Sequence, residues 1–184
     1  MITKTYKVLN EITVNKTSLL SNYNYFASLN SQAKIAPVLK ANAYGHGLKE
    51  VAGIIDRELN APFICLDSLY EAYELYKLGI KTNILVMGYT NPENYAVWKK
   101  LPFSFGVFDQ QTLMSLSTHQ PGAKVHIKLD TGMCRLGLSK QDIPKFIKVL
   151  KKWQKCLKTL ATNSNGSTFL QVQERQLFAT HTSI

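Results

Sequence analysis

Cysteine is scarce in this 184-residue sequence. There are three, Cys65, Cys134 and Cys156, and no two of them form a CxxC pair. This excludes a disulfide framework and a cysteine-based zinc site, and it suits a reducing compartment. No metal is expected. Acidic residues are also few, 12 against 22 lysines and arginines, for a formal net charge of +10. No apolar run approaches the roughly 18 residues that mark a membrane span. Met1–Asn10 carries no apolar core of signal-peptide length. A cytoplasmic protein without a membrane partner is expected. The positive charge raises nucleic acid as a partner, but the sequence has no arginine-rich arm and no nucleic-acid-binding motif. Its densest basic cluster, Lys145, Lys148, Lys151, Lys152, Lys155 and Lys158, has the three- and four-residue spacing of a solvated helix face. No nucleic-acid partner is expected, although a basic protein favours phosphate-bearing small ligands.

What is present is globular in character, with 45% hydrophobic and 18% charged residues. From residue 35 onward a short apolar run is followed by a helical pattern and a turn, repeatedly. The strand candidates are Ile35–Lys40, Phe63–Asp67, Asn83–Gly88, Phe103–Phe108 and Lys124–Asp130. Several are nearly continuous in apolar residues, as parallel strands buried on both faces are. A helix is expected over Lys16–Leu29. Ser68 and Glu71 form a capping box before a helix through Leu78, which Gly79 ends. Asn91-Pro92 marks another helix start, Asp109 caps a helix through Leu116, and Ser139 opens a last helix to about Lys158 with Pro144 near its first turn. Alternating βα units of this kind build either a doubly wound sheet or a (β/α)8 barrel, and periodicity alone does not choose. Five strands would make a partial barrel, since closure takes eight strands over ~250 residues.

Two clusters carry chemistry. The first is Val38-Leu39-Lys40-Ala41-Asn42-Ala43-Tyr44-Gly45-His46-Gly47. It places a lysine at the C-terminal end of an apolar strand, the end that faces the active site in parallel α/β proteins. A partly desolvated amine there can condense with an aldehyde. Taken alone, Lys40 reads as a surface lysine at a strand end. The second cluster is Ile127-Lys128-Leu129-Asp130-Thr131-Gly132-Met133-Cys134-Arg135-Leu136-Gly137, again at a strand end. Arg135 offers fork-shaped hydrogen bonding to an oxyanion or carboxylate. It equally suits a loop in which it pairs with Asp130.

The first string closely resembles the KANAYGHG signature of alanine racemases, and the second is similar to their KxDTGMxRLG motif. Order and spacing also match, over roughly residues 5 to 155. The resemblance implies an α/β fold, the N-terminal part of a (β/α)8 TIM-type barrel with about five parallel strands, here spanning residues 1–158. It implies a pyridoxal 5'-phosphate enzyme that interconverts L- and D-alanine, supplying D-alanine for peptidoglycan, and that works as a homodimer. Lys40 would hold the cofactor as a Schiff base and act as one of two acid/base catalysts. Tyr44 would contact its phosphate and Leu85 would line its ring. Arg135 would contact its phenolic oxygen and help to place the substrate carboxylate, which would also meet the backbone amide of Met133. Lys128 matches a lysine that is often carbamylated in the family and then orients Arg135. Cys134 departs from the pattern, standing where the family usually has glycine. If that glycine needs an unusual backbone conformation, cysteine strains the loop.

Racemisation needs a base on each face of the substrate. In the family the second is a tyrosine from a C-terminal β domain of the partner subunit, and no such domain is expected here. After Trp153 the match to the family fails, and 159–184 reads as an atypical tail, the product of truncation or a frameshift. The expectation for the chain alone is an unstable, racemase-inactive fragment. Two alternatives stay open: a related pyridoxal-phosphate racemase or decarboxylase for another amino acid, and a non-catalytic remnant.

Overall fold

The computed structural model describes Leu9, residues 11–130, 132 and 134–152, with the backbone of Trp153 and of Lys158–Thr159. Met133, Lys155 and nearly all of the expected tail lie outside the described residues. The described chain runs α1 (Lys16–Leu29), α2 (Lys40–Tyr44), α3 (Leu48–Glu58), β1 (Ile64–Leu66), α4 (Leu69–Lys77) and β2 (Ile84–Val86). A 3-10 segment (Pro92–Ala96), β3 (Ser104–Val107), α5 (Gln110–His119), β4 (Lys124–Ile127), α6 (Ile143–Trp153) and β5 (Lys158–Thr159) follow.

All pairings are parallel, and the strand order across the sheet is β1-β2-β3-β4-β5. Each strand lies beside its predecessor, so the winding never reverses. A doubly wound sheet must reverse at a switch point. The order is that of one arc of a barrel, and it settles the choice that periodicity left open. Helices α3 to α6 pack on one face. Val51, Ala52 and Ile55 of α3, Ala72 and Leu75 of α4, Leu113 and Leu116 of α5, and Phe146 of α6 form one buried cluster with Ile64, Leu66, Ile84, Val86, Phe105, Val107 and Val125. Side chains alternate along a strand. Cys65, Leu85, Ser104, Gly106, Lys124 and His126 therefore fall on the opposite, inner face, and register aligns Cys65 with Leu85, Leu85 with Ser104 and Gly106 with His126. Cys65 is buried yet stands outside the helix-facing cluster, as this alternation requires. His126 stacks edge-on against Phe63, and burial pushes its pKa down to about 4, so the ring is neutral.

The sequence expectations fare unevenly. Helix α1 has the expected bounds, and the caps of Ser68 on α4 and Asp109 on α5 are made. Three expectations are corrected. The strand at Ile35–Lys40 is reduced to a single parallel bridge, Val38 to Cys65. Leu39 N–H donates to the Cys65 carbonyl (2.9 Å) and Cys65 N–H to the Pro37 carbonyl (2.8 Å). Pro37 has no N–H to extend the ladder, and at Lys40 the chain leaves the sheet. The helix expected after Asn91-Pro92 is a 3-10 segment, and the last helix gives way before Lys158, which pairs with β4.

The 3-10 segment is held by a buried amide. Gln120, 2% exposed, donates through Nε2 to the carbonyls of Tyr95 (2.6 Å) and Trp98 (2.7 Å), and its Oε1 accepts from Leu101 N–H (2.7 Å). Gln120→Glu preserves the shape but removes both donors and buries a charge. It should lower unfolding free energy by roughly 3 kcal/mol or more near neutral pH. Part should return in acid, where the carboxylic acid donates again. Urea unfolding at two pH values checks this, and an unchanged midpoint would refute the staple.

Candidate active site

The first cluster folds in a way its sequence does not announce. Ala41, Asn42, Ala43 and Tyr44 have φ of 53°, 55°, 53° and 54°, so α2 is one turn of left-handed helix. Each L-residue in that conformation costs about 1–2 kcal/mol. Backbone bonds close the turn: Ala43 N–H donates to Leu39 O (2.8 Å), Gly45 N–H to Ala41 O (3.1 Å) and Gly47 N–H to Asn42 O (3.0 Å). Asn42 also reaches forward, its Oδ1 accepting from Leu48 N–H (2.7 Å) at the start of α3. Lys40 stands half-buried at the head of the turn, two residues past the bridge to β1, while Tyr44 at its end is exposed.

The second cluster is a closed loop at the end of β4. Leu129 and Leu138 form a parallel bridge, with Asp130 N–H donating to Leu138 O (2.9 Å) and Leu138 N–H to Lys128 O (2.9 Å). Inside the loop the Asp130 carboxylate accepts from the N–H groups of Gly132 (3.0 Å) and Cys134 (3.1 Å). Gly137 permits the closure, since a Cβ there would stand 2.6 Å from Asp130 N. Arg135 is exposed on this loop and Lys128 is half-buried just before it.

Electrostatics link the two clusters. Burial pushes the Lys128 ammonium below the ordinary lysine range, and the charges of Arg135 and Lys40 push the same way, while Asp130 and Asp67 oppose. The structure thus brings Lys40, Lys128 and Arg135 into one field at the C-terminal ends of the strands. Leu85 lies half-buried on the inner face of β2 between Cys65 and Ser104. Three participants escaped the sequence reading: Asp67, Asn42 and Glu71, whose Oε1 accepts from Asn42 N–H at 3.2 Å. Asn42 lay inside the first motif and Asp67 at a strand end without a role of their own, and the signal at Glu71 was for a helix cap. Among the described residues no three His, Cys, Asp or Glu side chains gather as a metal site, and no helix is long and apolar enough to cross a membrane.

Cys134 has φ of 53° and an exposed thiol, so the loop does place cysteine in a left-handed conformation. Cys134→Gly should raise unfolding free energy by roughly 1 kcal/mol, and Cys134→Val should lower it, because a β-branched side chain fits that region worst. Urea midpoints of the two variants moving in the same direction would refute the strain.

Comparison with known proteins follows the same lines. The family model described as alanine racemase, N-terminal domain, matches residues 14–173. Alanine racemase of Streptococcus mutans serotype c is 33% identical over 156 residues, 80% of this chain and 42% of that protein. An amino-acid racemase of Enterococcus faecalis is 32% identical over 135 residues, 73% of this chain and 19% of that protein. The solved alanine racemase of Clostridium difficile 630 in complex with cycloserine superposes with a TM-score of 0.69 at 28% identity, over 79% of this chain and 40% of that one. The chain spans less than half the length of each.

Proposed function

This chain belongs to the alanine racemase family, through the family's N-terminal domain, and from that premise we propose that it provides the lysine-bearing side of a pyridoxal-phosphate-dependent racemase site with alanine as substrate. The observation that carries the reading is the position of Lys40, at the head of the left-handed turn and in one electrostatic field with Lys128 and Arg135. The donor set fits the cofactor. Lys128 feels the positive charges of Lys40 and Arg135 and the negative charges of Asp67 and Asp130, and such cations suit a ligand that carries phosphate and phenolate oxygens.

When bound, pyridoxal phosphate supplies the electron sink that makes the α-proton of an amino acid removable. Lys40 Nζ would hold the cofactor and would take or return a proton on one face. Arg135 would hold the cofactor's phenolic oxygen and orient the substrate carboxylate, a role this reading extends to the backbone amide of Met133, and Asp130 keeps the loop in shape through its two backbone bonds. Tyr44 would bind the phosphate and Leu85 would line the ring. The base on the opposite face belongs to sequence beyond the span shared with the relatives, in a homodimer of the whole enzyme. D-Alanine for peptidoglycan is the product this reading assigns. The Enterococcus faecalis relative, described as an amino-acid racemase, supports a second reading, the same chemistry on another amino acid.

Pyridoxal phosphate added to the chain and trapped with borohydride should label Lys40, and Lys40→Ala should abolish the label. Labelling spread evenly over surface lysines would refute the site. Lys128 has its own test. Its proton is held weakly, so more of it is free amine near neutral pH than for an exposed lysine, and the free amine is the form that takes up CO2. With 13C-bicarbonate, a carbamate resonance should grow as pH rises through neutrality, fade on acidification, and be missing in Lys128→Met. Its persistence in that variant would remove Lys128 from the role.

A further inference from the structure

We propose that Glu71 is a positioning residue for Lys40: its carboxylate pins the Asn42 N–H of the left-handed turn and so sets where the lysine amine stands. The inference rests on the reading of Lys40 as the amine that captures the cofactor. Ser68 and Glu71 have capping-box spacing, in which the carboxylate returns to the N–H of the capping residue. Here half of that box is made, with Glu71 N–H donating to Ser68 Oγ at 3.2 Å. The carboxylate is used elsewhere. Its Oε2 accepts from Ser68 Oγ (3.2 Å), and its Oε1 accepts from Asn42 N–H (3.2 Å), 29 residues earlier in the chain.

The geometry explains the diversion. The first N–H groups of a helical turn have no partner inside it, and Asn42 N–H is such a group in α2. A carboxylate is a stronger acceptor for it than water or a neutral group. The rest of Asn42 is already committed, its carbonyl to Gly45 and Gly47 and its side chain to Leu48. Asn42 is thus fixed from α3 on one side and from α4 on the other. Lys40 is two residues away, at the end of the segment these bonds hold. The bond from Glu71 ties the turn to the next βα unit, whose strand leads into Asp67. Loosening it lets a conformation that is costly for L-residues to hold relax, and the amine moves with it.

The test uses the full chain with Glu71→Ala, Glu71→Gln and, as a control, Tyr70→Gly, which weakens the first turn of α4 at an exposed side chain. Two quantities are read: hydrogen exchange at the Asn42 amide, relative to core amides such as Leu66, and the pH profile of borohydride-trapped pyridoxal phosphate at Lys40. Glu71→Ala should speed Asn42 exchange and slow capture, each by roughly tenfold, the factor of one charge-assisted hydrogen bond, and should displace the pH profile. Glu71→Gln keeps an acceptor oxygen and should restore most of both. Tyr70→Gly should move neither. The proposal is overturned if Glu71→Ala leaves Asn42 exchange unchanged, or if Tyr70→Gly reproduces its effects, which would reduce Glu71 to a helix cap. A wild-type chain that captures no pyridoxal phosphate at Lys40 would instead defeat the cofactor reading, and Asn42 exchange would still decide whether Glu71 holds the turn.

Discussion

Four successive L-residues with φ near 54° form the constraint on which the site depends. Single residues visit this region, but a run of them is rare because each Cβ crowds the following carbonyl. The run sits where the chain must leave its bridge to β1 and enter α3 within a few residues. A right-handed turn would send the chain off in another direction and carry Lys40 with it. The composition suits the demand. Ala41 and Ala43 carry the smallest side chains, asparagine tolerates the left-handed region, and Gly45 and Gly47 continue it at φ of 89° and 96°. The motif therefore specifies a conformation as well as a lysine.

Charge gives the second constraint. Lys128 feels the charges of Lys40 and Arg135 near the C-terminal ends of the strands. Half-burial makes the Lys128 charge costly, and the charges of Arg135 and Lys40 add to that cost. The lysines of α6 make a useful contrast. Lys145, Lys148, Lys151 and Lys152 are exposed, so water screens them, and they report on solubility rather than on a ligand.

Much of this was legible in the chain. Helix α1 and the caps by Ser68 and Asp109 follow from local spacing, and the βα rhythm places four of the strands correctly to within a residue or two at most ends. Lys40, Lys128 and Arg135 were recognisable because two long strings carried them. What could not be read was governed by contacts distant in sequence. The Glu71 carboxylate has the spacing of a helix cap, and nothing nearby says that it turns to Asn42 instead. The left-handed sense of Ala41–Tyr44 is equally silent, because alanine and tyrosine are ordinary helix and strand residues. Pro37 was visible, but its effect depended on whether its missing N–H faced a partner strand.

The unreversed strand order has a consequence for assembly. Because each strand pairs with the one just before it, every new βα unit docks on structure that already exists, and no strand waits for a distant one to be made. The sequence separations are short for a parallel sheet, which eases the usual slowness of such topologies. The turn that bears Lys40 is bonded to β1, α3 and α4, all complete by Lys77. During synthesis the lysine can thus be set in its final geometry while the loop that carries Arg135 is still unmade, so one wall of the site is built before the other exists.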